Sequence, residues 1–163
     1  MDFSLPEKAW WNYIGEDLQK LFLLAQFLNR KSVNWSGKFC DYSFVVFPAA
    51  KAYEGFLKKL FLDLGFISED EYNSKHFRIG KALNPSLEER IRAKEGVYDK
   101  IVEYCQGPAL ADKLWQTWKE ARNQIFHWFP HQQNMITIKE AENKLSMIIT
   151  ATDLAFAECK IKK

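Results

Sequence analysis

Ala109-Leu110-Ala111-Asp112-Lys113-Leu114-Trp115-Gln116-Thr117-Trp118-Lys119-Glu120-Ala121-Arg122-Asn123-Gln124-Ile125-Phe126-His127 has the periodicity of one long amphipathic helix. Leu110, Leu114, Ala121 and Ile125 fall on a single stripe, with Trp115, Trp118, Arg122 and Phe126 beside it. Gly107-Pro108 bounds the segment upstream. Downstream, Pro130 disfavours helical geometry at Phe129, so the helix is expected to end between Phe126 and Trp128. Arg122 and His127 would point about 140° apart in a continuous helix, at roughly 100° per residue. Ending the helix near His127 lets both side chains approach one site. Arginine supplies a permanent charge with a planar donor fork suited to phosphate. Histidine titrates nearest neutrality and can give and take a proton. The same two residues also admit a plain structural reading: an arginine among aromatics that stacks on a tryptophan, and a boundary histidine.

Working outward, helical patterns dominate both flanks. Thr137 with Glu140 forms a capping box for a last helix burying Ile138, Ala141, Leu145, Ile148, Thr152 and Ala155, with Lys160, Lys162 and Lys163 at its negative end. A first helix is expected from about Pro6 to Asn29, capped by Ser4 with Glu7, its stripe being Ile14, Leu18, Leu21, Ala25 and Leu28. After a loop over 30–41, a second helix starts near Asp41 or Ser43 and runs to about Leu64, burying Ala49, Ala52, Tyr53, Phe56, Leu60 and Leu64. Pro48 places its start near Val46 or bends it there, and Gly65 stops it. Between 68 and 106, Ser68–Glu71 and Ser86–Glu89 resemble capping boxes. A short helix is expected around Lys75 to Leu83, a break at Asn84-Pro85, and another helix up to Tyr104. The β-like run from Tyr42 to Phe47 leads straight into the second helix. These patterns predict one all-α domain over residues 1–163: an up-and-down helical bundle with an irregular helical middle.

Composition narrows the function classes. The formal charge is +2 over 163 residues, so a nucleic-acid surface must come from local clustering. Cys40, Cys105 and Cys159 are odd in number and far apart in sequence, which argues against a disulfide framework or zinc ribbon and predicts a cytoplasmic location. No signal peptide and no membrane-spanning run are visible. His127 and His131 have metal-like spacing, but Pro130 lies between them and no Cys or carboxylate cluster completes a site, so neither metal nor cofactor is expected. Lys75, Arg78 and Lys81 make a basic stripe at helical spacing: either a solvated face or, with Lys58, a guide for an RNA backbone. Lys51, Glu54 and Lys58 lie opposite the apolar stripe of the second helix; as a bland face, Glu54 and Lys58 would pair at i,i+4. Trp10, Trp11 and Trp35 admit a core or an interface reading, and their place at helix ends and loops favours interface more than usual.

Arg-x4-His closing the third long helix of a small all-α domain resembles the signature of the HEPN superfamily of ribonucleases, commonly with Asn directly after the Arg. Arg122, Asn123 and His127 match it. Phe47-Pro48-Ala49-Ala50-Lys51-Ala52-Tyr53-Glu54-Gly55-Phe56-Leu57-Lys58 is similar to the corresponding helix of RNase LS-type toxins of toxin–antitoxin systems, and the likeness extends from residue 43 onward. The resemblance implies a metal-independent endoribonuclease acting as a homodimer, with RNA as substrate and a protein antitoxin as partner. His127 would be general base or acid, Arg122 would stabilise the phosphorane-like transition state, and Asn123 would orient phosphate or hold His127. Lys51 and Glu54 match an assisting basic residue and glutamate, with Lys51 standing where the family has arginine. Phe129 stands where HEPN toxins paired with nucleotidyltransferase antitoxins carry a modified tyrosine, so that control route is not expected. Two alternatives stay open: a non-catalytic HEPN module that binds RNA or protein, and a structural helical adaptor.

Overall fold

The computed structural model describes residues 3–128, 130 and 134–159. The fold is all-α, with no strand among the described residues. Its long elements are α1 (Glu16–Ser32), α2 (Ser43–Asp63), α7 (Ala109–Trp118) and α9 (Ile138–Glu158). Between α2 and α7 lie the short helices α3 (Glu69–Asn73), α4 (Ile79–Ala82), α5 (Glu89–Glu95) and α6 (Tyr98–Tyr104). The chain leaves α7 through a π-helical turn, Lys119–Asn123, and one last α turn, α8 (Gln124–Phe126). None of the described helices is long and apolar enough to cross a membrane.

Helix α2 is the central element, packed against both α1 and α9. Most of its expected core face is realised: Ala49, Ala52, Tyr53, Phe56 and Leu60 are buried, while Leu64 follows the helix end and is only half-buried. The helix starts at Ser43 and runs through Pro48. Asp41 secures that start, accepting from the Ser43 backbone N–H at 3.0 Å and from its hydroxyl at 2.6 Å. At the other end Gly65, at φ +69°, takes the left-handed conformation predicted for the stop. The buried Tyr53 phenol donates to the Leu114 carbonyl at 3.3 Å and so ties α2 to α7.

The N-terminal region departs from the sequence expectation. Two short 3-10 turns, Leu5–Glu7 and Trp11–Tyr13, replace the early part of the expected helix, and Ser4 makes no side-chain cap. Trp10 is fully buried rather than an interface residue. Its indole N–H donates to Asp153 of α9 at 2.7 Å, and Lys8 pairs with the other oxygen of the same carboxylate at 2.7 Å. This long-range anchor outweighs the local helical signal, and Gly15 at φ +79° redirects the chain into α1. The buried face of α1 is correspondingly rotated, onto Phe22, Ala25, Gln26, Asn29 and Ser32. Trp11 and Trp35 are half-buried against the core.

In the middle segment the Ser68–Glu71 capping box forms. Ser86 and Glu89 form none, because α5 begins after Glu88. The expected helix up to Tyr104 is split at Gly96-Val97, where the Val97 N–H leaves the helical pattern to reach the Ala82 carbonyl at 2.7 Å. The Thr137–Glu140 capping box starts α9 as read from sequence; Ala141, Leu145, Ile148, Thr152 and Ala155 are buried, and Ile138 is half-buried against the core. Lys160, Lys162 and Lys163 lie outside the described residues. Cys105 and Cys159, distant in sequence, come together at the ends of α6 and α9; all three cysteines are free. Burial pushes the Cys159 thiol up to about 12.

Candidate functional site

Two sequence-distant helices meet where the motif lies. The π turn is closed by the Gln124 N–H on the Lys119 carbonyl, a wider loop than an α turn. It brings the chain through Arg122 and Asn123 beside α2. Glu120, inside the turn, is held from both sides: Gln116 donates to it at 2.9 Å and Lys144 of α9 at 3.1 Å. Those donors hold its carboxyl below the ordinary range, with the Gln116 hydrogen bond the largest cause.

The helix ends at Phe126, within the span that Pro130 predicts, and His127 is extended at φ −108°, ψ 132°. Asn134 fixes the chain there, donating from its side chain to the His127 carbonyl at 3.0 Å. The segment after the motif is strapped to α2: the Tyr42 N–H donates to the Ile136 carbonyl at 2.9 Å, and the Ile136 N–H donates to Asp41 at 3.1 Å. Asp41 thus serves both the start of α2 and the return from the motif. Its charge is spent on backbone and hydroxyl donors.

One cavity of about 330 Å³ is lined by Lys51 and Glu54 of α2 together with Arg122 and His127; Phe47, Ala50 and Phe126 supply its apolar wall. Phe47 and Phe126 meet edge to face at 5.4 Å. Arg122 carries two contacts, an ion pair to Glu54 at 3.7 Å and a cation–π contact over the Trp118 ring at 4.8 Å. Its side chain and that of Glu54 are each about one-third exposed, at 34% and 33%. Glu54 therefore faces Arg122 rather than forming the bland i,i+4 pair with Lys58, whose ammonium lies 5.7 Å from the Phe77 ring centroid. Four of the five residues nominated as catalytic line this one cavity.

The fifth, Asn123, lines an adjoining cavity of about 330 Å³ that shares Glu54 and Arg122 with the first. The basic stripe is not realised as one. Lys75 lies before α4, Arg78 precedes its first turn and Lys81 is inside it, so no single helix carries all three. Arg78 reaches back to the Lys75 carbonyl. Lys81 pairs with Glu95 at 2.7 Å. Arg78 and Lys81 line the adjoining cavity; Lys75 lines neither, because the short helix begins later than the sequence pattern places it. Among the residues that sequence reasoning did not assign to the site, Phe47 was legible only as part of the α2 similarity. Trp115 and Trp118 were visible as Arg122's neighbours on the helical wheel.

The arrangement offers a titratable imidazole, a guanidinium, an ammonium and a carboxylate in one half-open apolar-walled pocket. It can hold a phosphodiester between cations and present a base to a nearby hydroxyl. Among the described residues, no group of three or more His, Cys, Asp or Glu side chains has the arrangement to hold a metal ion. His131 and Phe129 lie outside the described residues. A scan against protein-family models and searches of curated proteins and solved structures find no match to this chain.

Proposed function

We propose that this chain is a metal-independent endoribonuclease of the HEPN type, acting as the toxin of a toxin–antitoxin pair. The observation that supports it most is the convergence of the two HEPN-like segments: Lys51 and Glu54 line the same cavity as Arg122 and His127. That convergence was not a consequence of either segment's own periodicity. In the proposed reaction His127 removes the proton of an RNA 2′-hydroxyl, and the oxygen attacks the adjacent phosphorus. The P–O5′ bond breaks, the 5′ oxygen takes up a proton, and a 2′,3′-cyclic phosphate remains. Arg122 and Lys51 stabilise the charge on the phosphoryl oxygens. Glu54 holds the guanidinium in place, and Asn123 reaches the substrate from the adjoining side.

Among the described residues the cavity offers one imidazole, that of His127, whereas the reaction uses a base and an acid. A two-fold homodimer would bring a second His127 to the cleft. Exposed Phe47 and Trp128, beside His127, and Met135 nearby are consistent with such a surface: they are 54%, 80% and 56% exposed. A protein antitoxin is part of the proposal and predicts a small neighbouring open reading frame.

The decisive assay incubates purified protein with mixed RNA in excess chelator. The expected result is undiminished cleavage, with cyclic-phosphate ends. Loss under chelation with recovery on adding zinc or magnesium would overturn the mechanism. The structural-adaptor reading has its own support, since Arg122 already has both an ion pair and an aromatic platform. Retention of full activity or toxicity by folded Arg122 and His127 variants would favour it.

A further inference from the structure

The cavity beside the candidate site carries a feature that phosphodiester cleavage alone does not require. It shares Arg122 and Glu54 with the first cavity, and adds Arg78, Gly80, Asn84, Trp115, Trp118 and Asn123. At about 330 Å³ it lies near the lower end of the range for ligand pockets, about 300–1,000 Å³.

Its lining is aromatic and rich in hydrogen-bond donors. Trp118 is 4% exposed, with the Arg122 guanidinium over its ring. Trp115 is half-buried, and no other aromatic ring packs on it among the described residues. Neither indole N–H has a hydrogen-bond partner among the described residues. Gly80 lets the chain approach the Trp118 indole closely, because a Cβ there would stand 2.5 Å from Nε1. Asn84 uses its side-chain oxygen to accept from the Ser86 N–H at 2.9 Å, which leaves its amide NH₂ to donate. Arg78 sits exposed at the lining and, among the described residues, is held through the backbone carbonyls of Lys75 and Phe77.

We infer that this second cavity is a nucleobase subsite, holding the base next to the scissile phosphate against Trp115 while Arg78 meets the neighbouring phosphate. The inference rests on the ribonuclease reading for its substrate, and it narrows that substrate. Donors from Trp118 and Asn84 match bases that present carbonyl acceptors, as uracil and guanine do. Adenine and cytosine present an exocyclic amino donor at the corresponding edge. Stacking of a base on an aromatic side chain is sequence-tolerant, so Trp115 supplies affinity and the donors supply choice.

The test has two arms on the full chain. In the first, cleavage sites in a mixed RNA are mapped by end sequencing for the native protein, Trp115→Leu and Arg78→Glu. In the second, binding of 3′-UMP, 3′-GMP, 3′-AMP and 3′-CMP is followed through the indole N–H resonances, which needs no cleavage. Native protein is expected to cut beside uracil or guanine and to shift the Trp118 indole signal with those two nucleotides. Trp115→Leu is expected to lower kcat/KM on the order of 5- to 150-fold, the span of one stacked base. Arg78→Glu, a surface change that leaves the core intact, is expected to weaken binding of all sequences. Cleavage by native protein with no base preference, or unchanged rates and sites in both folded variants, overturns the subsite while the ribonuclease stands. Nucleotide binding that depends on Trp115 without any cleavage upholds the subsite and overturns the ribonuclease. Neither binding nor cleavage overturns both.

Discussion

Arg122 has contacts that serve both a structural and a chemical role, and their magnitudes separate the two. An ion pair one-third exposed, at 3.7 Å, contributes about 0–1 kcal/mol to stability. A cation–π contact contributes about 0.5–1 kcal/mol at exposed sites. Arg122→Ala should therefore remain folded, with thermal unfolding showing a modest decrease. Under the proposed function its cleavage rate should fall by about 10²–10³-fold, the cost of removing a preorganised charge. His127→Ala should lose about 10²–10⁴-fold for want of a general base, while exposed His127 leaves the core untouched. Arg122→Lys keeps the charge and loses the fork, so it should recover only part of the rate. Periodicity alone puts Glu54 on a solvated face, yet it stands against Arg122. Glu54→Ala should lower the rate by roughly 10- to 100-fold through misplacement of the guanidinium, and Lys51→Ala by less. Single-turnover cleavage, read beside a melting curve for each variant, checks the order. Equal rates in all four positions would leave the residues structural.

Among the elements, the π turn is held to α9 by one salt bridge. Lys144 donates to Glu120, whose folded carboxyl titrates below its ordinary value because of the Gln116 and Lys144 donors. A depressed folded pKa contributes stability above the unfolded value. That contribution is lost as pH falls through the folded value. Glu120→Gln should thus melt below the native protein at pH 7, with the gap closing as pH falls below the ordinary carboxylate range. A gap that stays constant down to pH 3 would mean that Glu120's charge does not brace the turn. The size is limited by solvent, since the Glu120 side chain is 32% exposed. The same variant should lower cleavage if the turn sets Arg122 against Glu54, and leave it unchanged if Arg122 is placed by Trp118 alone.

For the whole molecule, the candidate cavity opens beside exposed apolar side chains, Phe47 and Trp128 among them. Exposed aromatics clustered beside charged side chains are a usual mark of an interface. The proposed two-fold dimer should appear in sedimentation at micromolar concentration, and Trp128→Ser should shift it toward monomer with parallel loss of cleavage. A strict monomer that cleaves RNA at full rate would refute the shared-cleft mechanism.

Local sequence determined much of the helical frame. Helix α2 follows from its apolar stripe and Gly65, α9 from the Thr137–Glu140 box, and the end of α8 from Pro130, because each depends on residues three to five apart. The same local signals misplaced the first helix, where Trp10 is bound to Asp153 across the chain. They also drew Lys75, Arg78 and Lys81 onto one helix that does not exist as such. Arg122 and His127 were legible as a motif, and Lys51 with Glu54 as a similarity, but not as neighbours. Their meeting depends on how α2 packs beside the π turn, through contacts such as Tyr53 on Leu114, between segments far apart in sequence. Helical periodicity carries no information about that register. Burial of side chains from both helices in one core decides it, and only the tertiary structure contains it.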